Sequence, residues 1–148
     1  MDITEEQMWI RVLSKDYHII PKIKKAMVSD KELLDIVSET VANAHGTNIE
    51  ALKSKSRKFQ FPDIRYKVFY IALKIRPEMS LSIAGVYFSR AFKNPHCIAL
   101  YGRNRVKSRM DVMPVYKSEI ERMQELCLLG LINAKNNKLK NENTQERD

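Results

Sequence analysis

The sequence predicts an all-α protein: a helix-turn-helix bundle with extra helices at both ends. Apolar residues recur at helical spacing, and no run alternates long enough for a strand. Helix-start signals, a capping Ser, Thr or Asn or a Pro at the first helical position, precede most of the apolar stripes. Near the middle, two helical patterns are joined by a short connection, and the second is strongly capped and heavily cationic, which is the helix-turn-helix pattern.

Residues 4–14 form the first expected helix, with Thr4 as cap and Met8, Trp9, Val12 and Leu13 on one face. Pro21 interrupts, and a short basic helix is expected across 22–27, making residues 1–28 an N-terminal helical extension. The stretch "SDKELLDIVSETVANAHG" (29–46) has a capping box in Ser29 and Glu32, an apolar stripe through Leu33, Leu34, Ile36, Val37 and Val41, and Gly46 as its stop. Thr47 with Glu50 starts a short turn of helix, and "KSKSRKFQ" (53–60) is a basic loop. A long helix is expected from about Pro62 to Ile75, closed by Pro77; Ser80 caps the next, over 81–88.

Asn94 and Pro95 open the cationic helix as cap and first residue. Its residues Ala99, Gly102 and Val106 lie within about 60° of one another at 100° per residue, a narrow seam of small side chains. Gly102 lowers helix propensity by about 1 kcal/mol relative to Ala, so close approach of a neighbouring helix is its expected reason. Arg103/Lys107 and Arg105/Arg109 flank the seam as like-charged i,i+4 pairs. Asp111 and Pro114 begin a last helix over 115–134, which completes a domain of residues 29–134; residues 135–148 read as a disordered polar tail.

At 148 residues, 44% hydrophobic and 30% charged, the chain has the composition of one globular domain. The start "MDITEE" is acidic where a signal peptide would be basic, and no apolar run reaches membrane-spanning length, so a cytoplasmic protein is expected (bacterial, or in the host cytoplasm if phage-encoded). Cys97 and Cys127 are widely separated, which favours reduced thiols over a disulfide framework or zinc site. His18 and His45 have no partner at metal spacing, so surface or helix-end roles are expected.

The net charge of +8 is concentrated. Residues 53–109 hold 14 Lys/Arg against Asp63 and Glu78, whereas the segments before and after are slightly acidic. Concentrated positive charge is the footprint of a polyanion-binding face.

The stretch "TVANAHGTNIEALKSKSRK", with "DIRYKVFYIALKI", "MSLSIAGVYF" and "KNPHCIALYGRNRV", resembles the carboxy-terminal DNA-binding domain of the bacterial replication initiator DnaA, a Trp-repressor-like helical fold. The resemblance covers about residues 33–110 and is most specific at "LKSKSR" and at Ser80-Leu81 with Ala84-Gly85. It implies that Arg57 enters a minor groove from the basic loop, with Lys53, Lys55 and Lys58 beside it. It implies DNA contact by Arg65, with Tyr66 replacing the family's glutamine, and by Arg105, on the family's lysine. At the recognition-helix tip, preceded by Lys93 and Asn94, the family's Asp-His-Thr-Thr is here Pro95-His96-Cys97-Ile98. Only His96 is retained, so altered or low sequence specificity is implied.

The charge footprint and the resemblance together imply a double-stranded DNA-binding module in replication or transcription control, with Arg103 also on its basic face. No GxxxxGK[ST] phosphate loop occurs, so the initiator's ATPase is not expected. Neither an enzyme, a cofactor, a small-molecule substrate nor a membrane is expected. The competing reading is a protein-interaction module that retains the fold, binding a replication factor or other protein, or a second copy through the C-terminal helix; RNA is a third ligand a basic groove could take.

Overall fold

The computed structural model describes residue 25 and residues 27–53, 60–88 and 94–146, and the side chains of all of these but 60 and 142–146. These residues form six helices and no strand: α1 (Asp30–Ala44), α2 (Ile49–Lys53), α3 (Gln60–Ile75), α4 (Leu81–Phe88), α5 (Pro95–Val112) and α6 (Pro114–Glu146). The helix expected over 4–14 lies outside the described residues, and of the one expected over 22–27 only Lys25 and Met27 are described, both in turns.

Local chemistry sets the first boundaries. Ser29 caps α1: its Oγ accepts from the Glu32 N–H at 3.2 Å and donates to the Glu32 carboxylate at 3.3 Å. At the other end Gly46 takes a φ of 70°, and the N–H groups of Thr47 and Gly46 reach back to the carbonyls of Ala42 (2.9 Å) and Asn43 (3.2 Å). That is a Schellman ending, which a left-handed glycine makes possible. Asn48, rather than the expected Thr47, caps α2, its Oδ1 accepting from the Ala51 N–H at 2.9 Å. The cap thus sits one residue along the chain, and the side-chain amide serves an N–H one residue beyond the one that Thr47 would reach.

The core surrounds α3, which packs against α1, α4, α5 and α6. Ile64, Val68, Phe69, Ile71, Ala72 and Ile75 are buried on it, opposite Leu33, Leu34, Val37 and Val41 of α1. From α6 come Ile120, Met123, Cys127, Leu128, Leu131 and Ile132, again at helical spacing. Each of the larger side chains contributes about 1.5–3 kcal/mol by leaving water.

Other boundaries also differ from expectation: Lys53 and Gln60, the two ends of the expected basic loop, lie in α2 and α3. Asp111 lies inside α5, and Met113 alone separates α5 from α6. Met113 is extended (φ −127°, ψ 97°), the conformation that a following proline favours. The helix α6 continues past 134 to Glu146, through much of the segment expected to be a disordered tail. Lys138 gives part of the reason: its ammonium donates to the Met27 carbonyl at 3.3 Å and lies 3.7 Å from the Glu32 carboxylate.

Charge also ties the far ends of the core together. Arg76, 3% exposed, donates to the Val28 carbonyl at 2.7 Å and to Asp30 Oδ1 at 2.8 Å, fixing the end of α3 to the start of α1. Burial alone would raise the Asp30 carboxyl, but the hydrogen bonds from Arg76 and Lys25 prevail and hold it below its usual range.

Candidate nucleic-acid interface

The helices α4 and α5 meet at a point with no spare room. A β-carbon on Gly85 would stand 2.1 Å from the carbonyl oxygen of Pro95, so α4 crosses directly over the first residue of α5. Ser80 starts α4, its Oγ accepting from the Ser82 N–H at 3.2 Å. Phe88 secures the far end, edge-on to Phe69 with ring centroids 5.6 Å apart. Tyr87 adds a tie that the sequence reading missed. Its hydroxyl donates to Asp35 on α1, and burial followed by that carboxylate pushes its pKa well up.

The start of α5 is as expected: Pro95 is its first residue, and Asn94 Oδ1 accepts from the Cys97 N–H at 3.4 Å. Ala99, Gly102 and Val106 are buried as its inward seam. The reason anticipated for Gly102 is met, since a β-carbon there would lie 2.5 Å from Tyr66 Cδ1 and 3.0 Å from Phe69 Cδ2.

The opposite side of α5 faces solvent. His96, Cys97, Tyr101, Asn104, Arg105, Lys107 and Ser108 are exposed, while Ile98, Leu100 and Arg103 are half-buried. Tyr101 is 54% exposed and meets Tyr66 edge-on at 5.6 Å. Among the described residues, no carboxylate lies within ion-pair distance of Arg103, Arg105 or Lys107. Arg109 is different, turning inward to Asp63 at 3.5 Å.

The remaining candidate residues divide. Lys53 is exposed at the end of α2, its ammonium 4.3 Å from the centroid of the Tyr87 ring. Lys55, Arg57, Lys58 and Lys93 lie outside the described residues. Arg65 is 8% exposed, and its Nε donates to the Leu52 carbonyl at 2.7 Å. It joins α3 to α2, a structural role beyond the DNA contact that the resemblance implies. Tyr66 is half-buried, with its ring against Gly102.

Lys67 is also interior, 3.0 Å from His45 Nε2 and over the Tyr116 ring at 5.3 Å. Burial lowers its pKa. With Arg65, Lys67 and Arg76 all buried, the outward charge of residues 53–109 is smaller than their sequence count. Among the described residues, what faces outward is gathered on α5 and at Lys53 and Lys74.

A cleft of ≈ 470 Å³ between α3, α5 and α6 carries Lys74, Lys107, Lys117 and Arg122 alongside Asp111, Glu121 and Glu125. Its opposed charges nearly balance, so it does not extend the cationic face. Cys127 is buried, and burial pushes its thiol up to about 12; Cys97 is exposed.

No protein-family model, curated protein or solved structure matches this chain. Among the described residues, no helix is long and apolar enough to cross a membrane.

Proposed function

We propose that the chain is a binding module for double-stranded DNA, without ATPase or other enzymatic activity, in which α4 and α5 form a helix-turn-helix of the kind found in the carboxy-terminal domain of DnaA. The observation that carries this reading is the outward face of α5. It holds Arg103, Arg105 and Lys107 with no paired carboxylate among the described residues, on a helix propped at its first residue by α4. Cations on the flanks of a supported helix suit phosphates along a groove. The succession of a helix, a short helix, a long helix and then the α4–α5 pair is the order the resemblance anticipates, and it supports the same reading. Replication or transcription control in the cytoplasm is the setting that fits.

The test is competition binding of the full chain to random duplex DNA, initiator-box duplex and structured RNA across a salt series. Duplex binding should weaken steeply with salt, with a slope of about −0.9 in log K per neutralised phosphate. Box and scrambled duplex should bind alike, because the tip carries Cys97 and Ile98 in place of threonines. A slope near zero, or preference for RNA, would overturn the reading.

A second reading, docking of a protein partner, has one observation in its favour. Ile83 (44% exposed) and Val86 (53% exposed) line a shallow groove with Leu34 and Tyr87 that has almost no polar lining. Binding to a protein in the absence of any duplex binding would favour it.

A further inference from the structure

The proposed DNA-binding reading leaves open how α5 would sit in the groove, by its tip or along its length. The distribution of charge on the helix decides between them. From Pro95 to Gly102, its first two turns, α5 carries no Lys or Arg; Arg103, Arg105 and Lys107 all lie in its second half. A helix entering by its tip would leave those three beyond the groove. One lying lengthwise would set Arg103 and Lys107 against one phosphate wall and Arg105 against the other.

Helical spacing puts Asn104 about 165° from the mean direction of the buried Ala99–Gly102–Val106 seam, between the two cationic flanks. Cys97 lies on the same outward line, about 20° away, and both residues are exposed. Seven residues at 1.5 Å each separate them by about 10.5 Å along the axis. That is close to three base-pair steps of about 3.4 Å.

An Asn side chain aimed at the groove floor has a defined complement, since its amide can donate to N7 and accept from the N6 amino group of adenine in one bidentate contact. Cys97 offers only a weak donor at the other end of the line.

Resting on the DNA-binding reading, we infer that α5 lies lengthwise in the major groove and that Asn104 is a specificity-determining residue that reads an adenine there. The position lies in the third turn, eight residues beyond His96, and is separate from the tip residues implied by the resemblance. Sequence preference is thereby moved from the tip of the helix to its middle.

The experiment is enrichment of bound sequences from a randomised duplex pool by the wild-type chain and by Asn104→Ala, with binding to a fixed random duplex measured for both. Circular dichroism and thermal melting check that the exposed substitution leaves the fold intact. The wild type should enrich a motif with one adenine position that Asn104→Ala loses, with about a tenfold loss of discrimination there. Affinity for the fixed random duplex should change less than twofold. Identical motifs from the two proteins, or a wild type that binds duplex but enriches nothing, would overturn the role of Asn104 while leaving DNA binding standing. A wild type that binds no duplex at low salt would overturn the underlying reading, and this inference with it.

Discussion

Gly85 and Pro95 are in contact through backbone alone: a β-carbon on Gly85 would come within 2.1 Å of the Pro95 oxygen and 2.6 Å of its carbonyl carbon. A methyl group there has no side chain to push aside, so α4 and α5 must separate. At Gly102 the obstacles are side chains, the Tyr66 ring at 2.5 Å and the buried Phe69 ring at 3.0 Å, which can shift where backbone cannot. Ala there also regains about 1 kcal/mol of helix propensity. Gly85→Ala should destabilise the protein by about 3 kcal/mol, at or beyond the usual upper end for overpacking. Gly102→Ala should do clearly less. Urea unfolding of the two variants gives the comparison, and equal losses would contradict the contact geometry.

Two arginines of the same helical assembly should behave oppositely. Arg65→Ala removes a buried hydrogen bond from a charged donor and leaves the Leu52 carbonyl without it, at about 1.5–3 kcal/mol of stability. Arg105→Ala acts at an exposed site and should change stability by no more than about 0.5 kcal/mol. Under the DNA-binding reading it should instead lower the salt slope by about 1. Melting curves beside binding isotherms separate the two.

The two cysteines should be distinguishable by a thiol reagent. In the native protein at pH 8, one equivalent should react promptly, at exposed Cys97. Cys127, buried and with its thiol pushed up to about 12, should react only as the protein opens. Cys97→Ser should abolish the prompt phase. Retention of that phase would mean that α6 admits reagent to the core.

Acid should weaken the contact between α1 and α3. Burial and then the Lys67 charge hold His45 below its ordinary 6.5, with Glu119 opposing. A lowered folded-state pKa means that the unfolded chain takes up the proton first, so the contribution is present above 6.5 and lost as pH falls through the lower folded value. Protonated His45 would oppose the Lys67 ammonium across 3.0 Å. Thermal melting should therefore fall from pH 7 toward pH 5 in the wild type and fall less in His45→Gln.

What the sequence disclosed was chemistry that acts over a few residues. Ser29, Gly46, Ser80 and the Asn94-Pro95 pair marked helix ends because each acts on backbone groups within one turn. The Ala99–Gly102–Val106 seam was legible because small residues at helical spacing have one use, close packing. Arg65 and Arg76 were not legible as interior residues: their partners stand 13 to 48 positions away, and nothing local distinguishes them from surface cations. The continuation of α6 was hidden for the same reason, since Lys138 meets Met27 across 111 positions. On the candidate face, composition marked α5 as cationic, but only packing showed that Arg109 turns inward while Tyr101 and Asn104 turn out.

The interior cations of α3 have a geometrical consequence. Arg65 meets the end of α2, Lys67 the end of α1, and Arg76 the start of α1, so one helix is pinned at three separate points of the preceding chain. Apolar side chains tolerate sliding, because one greasy surface serves nearly as well as the next. A hydrogen bond of 2.7 or 3.0 Å does not. A slip of α3 by a single turn, about 5.4 Å, would break all three bonds at once. The helix thus works as a ruler with three marks, and the alignment it enforces on α1 and α2 carries through α3 to the position of α5.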